Sequence, residues 1–158
     1  MFREMRRKDK EKTREEAERI LHEGEHGTLA VLLDSGYPYS LPVSYVYEDG
    51  RIYFHSAVAG QKYEALLRDS RVCFSVVEAD KTQPAPGEFT VLYSSAIAFG
   101  RASLVEDEAE IRRALHLITG KYDPSVSHDS VDTYVQPQLS RVCVFRVDVE
   151  HLSGKGMA

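Results

Sequence analysis

Apolar and polar positions recur along this chain in short patterns that set its elements one at a time. Ala17, Ile20 and Leu21 share one helical stripe and follow Thr13-Arg14-Glu15-Glu16. That tetrad is a capping box, in which Thr13 accepts from the Glu16 amide and the Glu16 side chain reaches back. Gly24 is a stop, so the pattern predicts a helix over residues 13–23. Three strands are predicted next. Thr28 to Leu33 is a continuous apolar run closed by Asp34-Ser35-Gly36, and Tyr39 to Tyr47 is rich in β-formers. Asp49-Gly50 then turns a hairpin into Arg51 to His55. Pro42 lies inside the second of these strands and has no N–H to give a ladder. That strand is either an edge strand or one whose free backbone groups face a ligand.

Beyond the small-residue loop Ala57-Val58-Ala59-Gly60, Tyr63, Leu66 and Leu67 take helical spacing as far as Asp69-Ser70. Arg71 to Val77 reads as a strand, and residues 79–88, with Pro84, Pro86 and Gly87, as a mobile polar loop. Phe89 to Val105 is long for one strand, so a bend or bulge is expected at Gly100. Asp107 opens an amphipathic helix carrying Ile111, Ala114, Leu115 and Ile118, ended by Gly120 and Pro124. Residues 125–139 admit a second short helix, and Arg141 to Val149 forms the last strand. Hairpins dominate over βαβ units, which favours a mostly β, antiparallel barrel with peripheral helices. The expected organisation is a mobile arm over residues 1–12, one barrel domain over 13–152, and a Gly-rich tail over 153–158.

Composition narrows the function classes. At 158 residues the chain has the length of one domain, able to bury roughly 68–70% of its unfolded surface without a disulfide or metal. A net charge of −5 disfavours nucleic acid or an anionic membrane as the main partner. The basic residues from Arg3 to Lys12 are interleaved with acids and read as a solvated stretch. No window approaches the ~20 apolar residues of a membrane span, and no apolar run follows the charged start, so a cytoplasmic protein is expected. Cys73 and Cys143 sit in apolar strand contexts and read as reduced thiols.

His22-Glu23-Gly24-Glu25-His26 spells the H-E-x-x-H of zinc proteases. Gly24 ends the helix inside the motif and Gly27-Thr28 leads into a strand, so the match is read as coincidence and no metal is expected. His116, His128 and His151 carry no ligand spacing. No Rossmann, P-loop or nucleophile-elbow pattern occurs. The informative stretch is Leu41 to Leu67. A phosphate ester needs backbone N–H groups at a helix start, small residues that permit close approach, and a cation. His55-Ser56-Ala57 followed by Gly60-Gln61-Lys62 offers all three.

Pro42-Val43-Ser44, then Tyr53-Phe54-His55-Ser56, then Gly60-Gln61-Lys62 with Leu66 beyond, resemble the FMN-binding core of pyridoxamine-phosphate-oxidase-like split barrels. Met5 to Asp9, the Tyr53 to Ser56 block and Tyr93 to Ala102 resemble the nitroimidazole-resistance branch in particular. The likeness runs from about residue 5 to Lys155. It implies an antiparallel split barrel of six or seven strands that binds FMN in a groove shared by two subunits of a C2 homodimer. Pro42, Val43 and Ser44 would flank the isoalloxazine, with backbone groups on its polar edge. His55 and Ser56 would lie beside the ribityl phosphate and ring. Gly60, Gln61 and Lys62 would hold the phosphate, with Gln61 standing where the family carries Arg. Ser95, in place of a longer Gln, would reach the flavin from the second subunit. His55 is the one side chain with a catalytic handle, as a proton donor or as a positioning group. The family's C-terminal substrate-binding Trp and Arg have no counterpart, and the chain has no Trp, which argues against pyridoxamine-phosphate oxidation itself. The implied activity is FMN-dependent oxidoreduction of a small electron-poor molecule, with nitroaromatics as one candidate class and any NAD(P)H entering the same groove. Three alternatives stay open: a non-catalytic flavin-binding module, a haem-binding barrel, or one that uses the deazaflavin F420.

Overall fold

The structure is a computed structural model that describes residues 2–78, 83–87, 91–135, 137 and 142–157, with Gln83 and Tyr134 described as backbone only. Helix α1 (Arg14–Glu23) begins at the expected capping box, with the Glu16 amide donating to Thr13 Oγ1 and the Thr13 amide donating to Glu16. Strands β2 (His26–Leu32) and β3 (Pro38–Ser44) follow as a hairpin. The predicted Tyr39–Tyr47 strand is in fact two, because Tyr45 separates β3 from β4 (Val46–Glu48). Asp49 and Gly50 both take positive φ, 48° and 77°, the twist that a tight turn into β5 (Arg51–Ala57) requires.

Helix α2 (Gln61–Arg68), β6 (Arg71–Val77), the long β8 (Val91–Leu104), α3 (Glu108–Tyr122), α4 (His128–Val135) and β9 (Val142–Met157) complete the chain. Two short pieces flank these: β1 (Glu11–Lys12), which pairs with β9, and β7 (Gln83–Pro84), which pairs with β8. Residues 79–82 and 88 of the expected loop, 89–90 of the expected long strand, and 136 and 138–141 near the last strand lie outside the described residues. No helix among the described residues is long and apolar enough to cross a membrane.

The main sheet runs β3-β2-β6-β8-β9-β5-β4, with every pairing antiparallel. Its two ends, β3 and β4, are joined through Tyr45 alone, so the sheet must curl until its edges meet. The result is a seven-stranded half-barrel with peripheral helices. Pro42 sits opposite Thr28 in β3, the edge strand of this order, which is how the sheet tolerates a residue without an amide donor.

Two apolar layers hold the barrel. Inside it lie Leu29, Ile52, Phe54, Phe74 and Phe145 with α1 residues Ala17, Ile20 and Leu21. Outside, Val46, Tyr53 and Val144 meet Ala114 and Ile118 of α3. Strand β5 therefore buries successive residues on both faces, and Tyr53 and Phe54 are each core. Gly100 marks the expected irregularity: the β8–β9 register shifts between Phe99 and Gly100, and a Cβ there would lie 2.3 Å from the Asp148 carbonyl oxygen.

Three expectations need correction. Residues 153–157 are not a tail but the end of β9, paired with β8 from Ile97 opposite Ser153 to Tyr93 opposite Met157. The glycines serve close approach there, since a Cβ on Gly154 would come 3.0 Å from Ala17 Cβ and one on Gly156 would come 2.8 Å from the Tyr93 carbonyl oxygen. Helix α3 continues through Gly120 to Tyr122, because Gly120 does not take the positive φ that ends a helix, and the stop falls at Asp123, ahead of Pro124. At the other end of the chain, β1 and a 3-10 turn at Lys8–Lys10 occupy the residues expected as an arm.

Candidate functional site

The sequence candidates of β5 and α2 come together at one end of the barrel. Strand β5 presents His55 outward and turns Ser56 inward, where it is buried. The chain then crosses Ala57 to Gly60, and Gly60 adopts φ 100°, a conformation that only glycine enters without strain. A Cβ there would meet nothing within 4 Å, so backbone conformation, not crowding, selects the residue. Helix α2 starts directly behind it with no side chain capping its N-terminus. Its first amides thus remain available as donors to an anion.

Lys62 stands in the first turn of that helix. Its ammonium lies 5.7 Å from the centroid of the Phe54 ring and forms no ion pair among the described residues. Burial lowers its pKa, partly countered by the Cys143 thiol. His55 keeps an exposed surface but is hemmed in by the surrounding chain. Its pKa is lowered first by that burial and then by the nearby Lys62 ammonium. These are two mutually repelling basic groups beside uncapped helix amides, and neither forms an ion pair with a carboxylate among the described residues. An anion at that point would relieve the repulsion and restore both groups toward their ordinary values.

Strand β3 carries the next three candidates. Val43 is buried, Ser44 half-buried and Pro42 exposed, on the strand that ends the sheet order near β5. Gln61 is exposed at the first position of α2. Ser95 stands apart from this group. It lies on β8 between Val77 and Lys155, and its hydroxyl donates to the Lys155 carbonyl at 3.3 Å. Phe99, nearby on the outward side of β8, stacks with Phe2 at 5.3 Å between centroids, and Phe2 also stacks on His151 at 4.8 Å.

One residue of this end of the barrel escaped the sequence reading. Cys143, on β9, pairs with Ser56 across the ladder, and its thiol donates to the Ser56 carbonyl at 3.4 Å. Burial pushes the thiol up, opposed by the Lys62 charge. Only the strand pairing places residue 143 opposite residue 56, and no spacing in the sequence signals it. Cys73 is likewise a free thiol, on β6. The H-E-x-x-H residues are divided as expected: His22 closes α1 while His26 opens β2, so the helical spacing that zinc requires is absent.

The sequence profile of the family described as pyridoxamine 5'-phosphate oxidase matches residues 13–156. A comparison with curated proteins finds no match. Among solved structures, the chain is similar to a candidate 5-nitroimidazole antibiotic resistance protein from Bacteroides thetaiotaomicron. The two are 26% identical with a TM-score of 0.75, over 92% of this chain and 84% of that one. A conserved hypothetical protein from Mycobacterium tuberculosis superposes with a TM-score of 0.80 at 21% identity, over 96% of this chain and 90% of that one. A FAD and heme binding protein from Mycobacterium smegmatis gives 0.75 at 21%, over 93% and 73%. The last two likenesses show the shared fold alone. With the profile spanning the barrel from the cap of α1 to the end of β9, the chain belongs to the pyridoxamine 5'-phosphate oxidase family.

Proposed function

We propose that this protein binds FMN at the β5–α2 turn and acts in the cytoplasm as a flavin-dependent oxidoreductase on a small electron-poor molecule, as a C2 homodimer. The observation that carries the reading is Lys62: a half-buried ammonium with no carboxylate partner among the described residues, in the first turn of an uncapped helix and beside His55. Such a cation suits a terminal phosphate. Lys62 and the first amides of α2 would hold that phosphate, and Gln61 would add hydrogen bonds where relatives place a charge. The backbone of Val43 and Ser44 would meet the polar edge of the ring. The flavin, when bound, supplies the redox chemistry, while the chain supplies binding, orientation and proton management.

His55, depressed toward its neutral form, is suited to take up a proton next to the phosphate and thereby hold the cofactor. The family supports flavin binding, and the similarity to a resistance protein for nitroimidazoles supports reading the substrate as nitroaromatic. Ser95 reaches the flavin only if a second subunit brings it there. The non-catalytic reading shares the same site and is separated from this one by turnover with a reductant and a substrate panel. A neighbour binds FAD and heme; a red preparation would favour a haem protein.

The test is Lys62→Ala. Losing a charge-assisted contact of roughly 1.5–3 kcal/mol weakens FMN binding by about 10- to 150-fold. Unchanged affinity in a flavin-fluorescence titration would reject the site.

A further inference from the structure

Behind the phosphate end of this site lies a second space of about 310 Å³. Its walls come from two layers. Leu104 and Val142 belong to the ends of β8 and β9, while Ile111 and Val135 belong to α3 and α4. Val58, in the turn between β5 and α2, stands at its mouth. Cys143 lines it as well, the residue that pairs with Ser56 and whose thiol donates to the Ser56 carbonyl at 3.4 Å. The cavity therefore adjoins the phosphate end of the proposed flavin site, not the β3 wall assigned to the ring. An electron acceptor must touch the ring, so this space is misplaced for the redox substrate. It is well placed for a group that continues past a phosphate.

The polar residues narrow the chemistry. Glu106 and Glu108 line the cavity, and neither carboxylate takes part in an ion pair or side-chain hydrogen bond among the described residues. Arg112 also lines it, but its guanidinium is engaged by Asp132 at 2.9 Å. Two unneutralised carboxylates repel an anionic tail such as a fatty acid. They suit instead a neutral group that offers hydroxyl donors. Aliphatic side chains on a sheet side and a helix side suit a flat ring, and a carboxylate that accepts from a ribose diol is a recurrent nucleoside contact. The volume is at the lower end of the usual range for ligand sites.

We propose that this cavity is an adenosine subsite that receives the second nucleoside of a dinucleotide. The inference rests on the reading of Lys62 as a phosphate anchor. Two sources share this chemistry. One is FAD, whose adenosine would continue from the phosphate at Lys62; the other is a nicotinamide dinucleotide serving as electron donor to bound FMN.

The experiment titrates cofactor-free protein with FMN and with FAD by flavin fluorescence, then titrates FMN-loaded protein with NAD⁺ by calorimetry. Two variants accompany the wild type. Glu106→Gln and Glu108→Gln each remove one negative acceptor from the lining, away from the turn that holds the phosphate. Both should bind FMN within twofold of wild type. If FAD is the source, wild type prefers FAD to FMN by at least tenfold and both variants reduce that preference. If the nicotinamide dinucleotide is the source, FAD and FMN bind alike, and both variants weaken NAD⁺ binding to FMN-loaded protein severalfold or more. Equal FAD and FMN affinity with no NAD⁺ binding would overturn the subsite while leaving the flavin site intact. Preferences untouched by both variants would do the same. A wild-type protein that takes up neither flavin would sink the flavin reading and the subsite with it.

Discussion

The Tyr122 hydroxyl closes the barrel seam at Tyr45: its oxygen accepts from the Tyr45 amide at 2.9 Å and lies 3.1 Å from the Tyr45 carbonyl, with its hydrogen shared between that carbonyl and the one of Glu25. Tyr45 is the single residue between β3 and β4, the two ends of the sheet order. Its amide and carbonyl have no ladder of their own at that corner, and the end of α3 satisfies both. The Tyr45 hydroxyl meanwhile donates to the Leu21 carbonyl at 2.6 Å, tying the same corner to α1. The strand that forms one wall of the candidate flavin site is thus held by helices far away in sequence.

Tyr122→Phe should lower stability by about 1–3 kcal/mol, because it leaves a part-buried amide and carbonyl without a partner. Urea denaturation followed by far-UV circular dichroism reads this as a lower midpoint at constant slope. A midpoint equal to wild type would show that water replaces the hydroxyl at no cost.

Lys121, one residue earlier, donates to the Gly24 carbonyl at 2.7 Å and lies 3.9 Å from the centroid of the Tyr45 ring. Burial lowers its pKa to about 8. A folded-state value below the unfolded one means that the unfolded chain binds more protons between the two. Stability from this group therefore rises with pH across that window. Relative to Lys121→Met, the wild type should gain in urea midpoint as pH increases from about 8 to about 10. A difference between the two proteins that stays constant with pH would contradict the assignment.

The pH dependence of flavin binding follows from His55 and Lys62, both lowered in the free protein. A phosphate placed beside them raises both, so binding takes up protons. FMN affinity should tighten as pH falls from about 8 to about 7, above the second phosphate pKa of about 6. His55→Gln should flatten most of that slope. A flat wild-type profile would remove His55 from the neighbourhood of the phosphate.

The outward face of β8 and β6 exposes Ile97, Phe99 and Val77 side by side, an apolar strip that a symmetric copy would cover. Ile97→Asp puts a charge on that strip without touching either core. The expected result is a dimer for wild type by light scattering, a monomer for the variant, and weaker flavin binding as the partner's Ser95 is withdrawn. Wild-type monomer that retains FMN at low micromolar concentration would count decisively against the dimer.

Local chemistry was legible in the sequence. The Thr13–Glu16 capping box, the Asp49-Gly50 turn and the α2 start at Gln61 all appear where residue type and spacing place them. Each depends on interactions within a few residues or on one backbone conformation, so neighbours in sequence suffice to specify it. His55, Ser56 and Lys62 belong to the same class, since eight consecutive residues of strand, turn and helix start carry them all.

Tertiary structure decided the rest. The glycines near the C-terminus read as a tail, because a residue without a side chain signals flexibility until a neighbour is known. Packed against Lys12, Ala17 and Tyr93, Gly154 and Gly156 instead let β9 approach its surroundings closely. Cys143 and its cavity, the separation of Ser95 from the other candidates, and the clasp of Tyr122 on Tyr45 arise from pairings across 87, 60 and 77 positions. Such contacts depend on strand order, and strand order follows from how the whole sheet curls to bring β3 and β4 together. No local pattern contains that closure, because it is a property of seven strands at once.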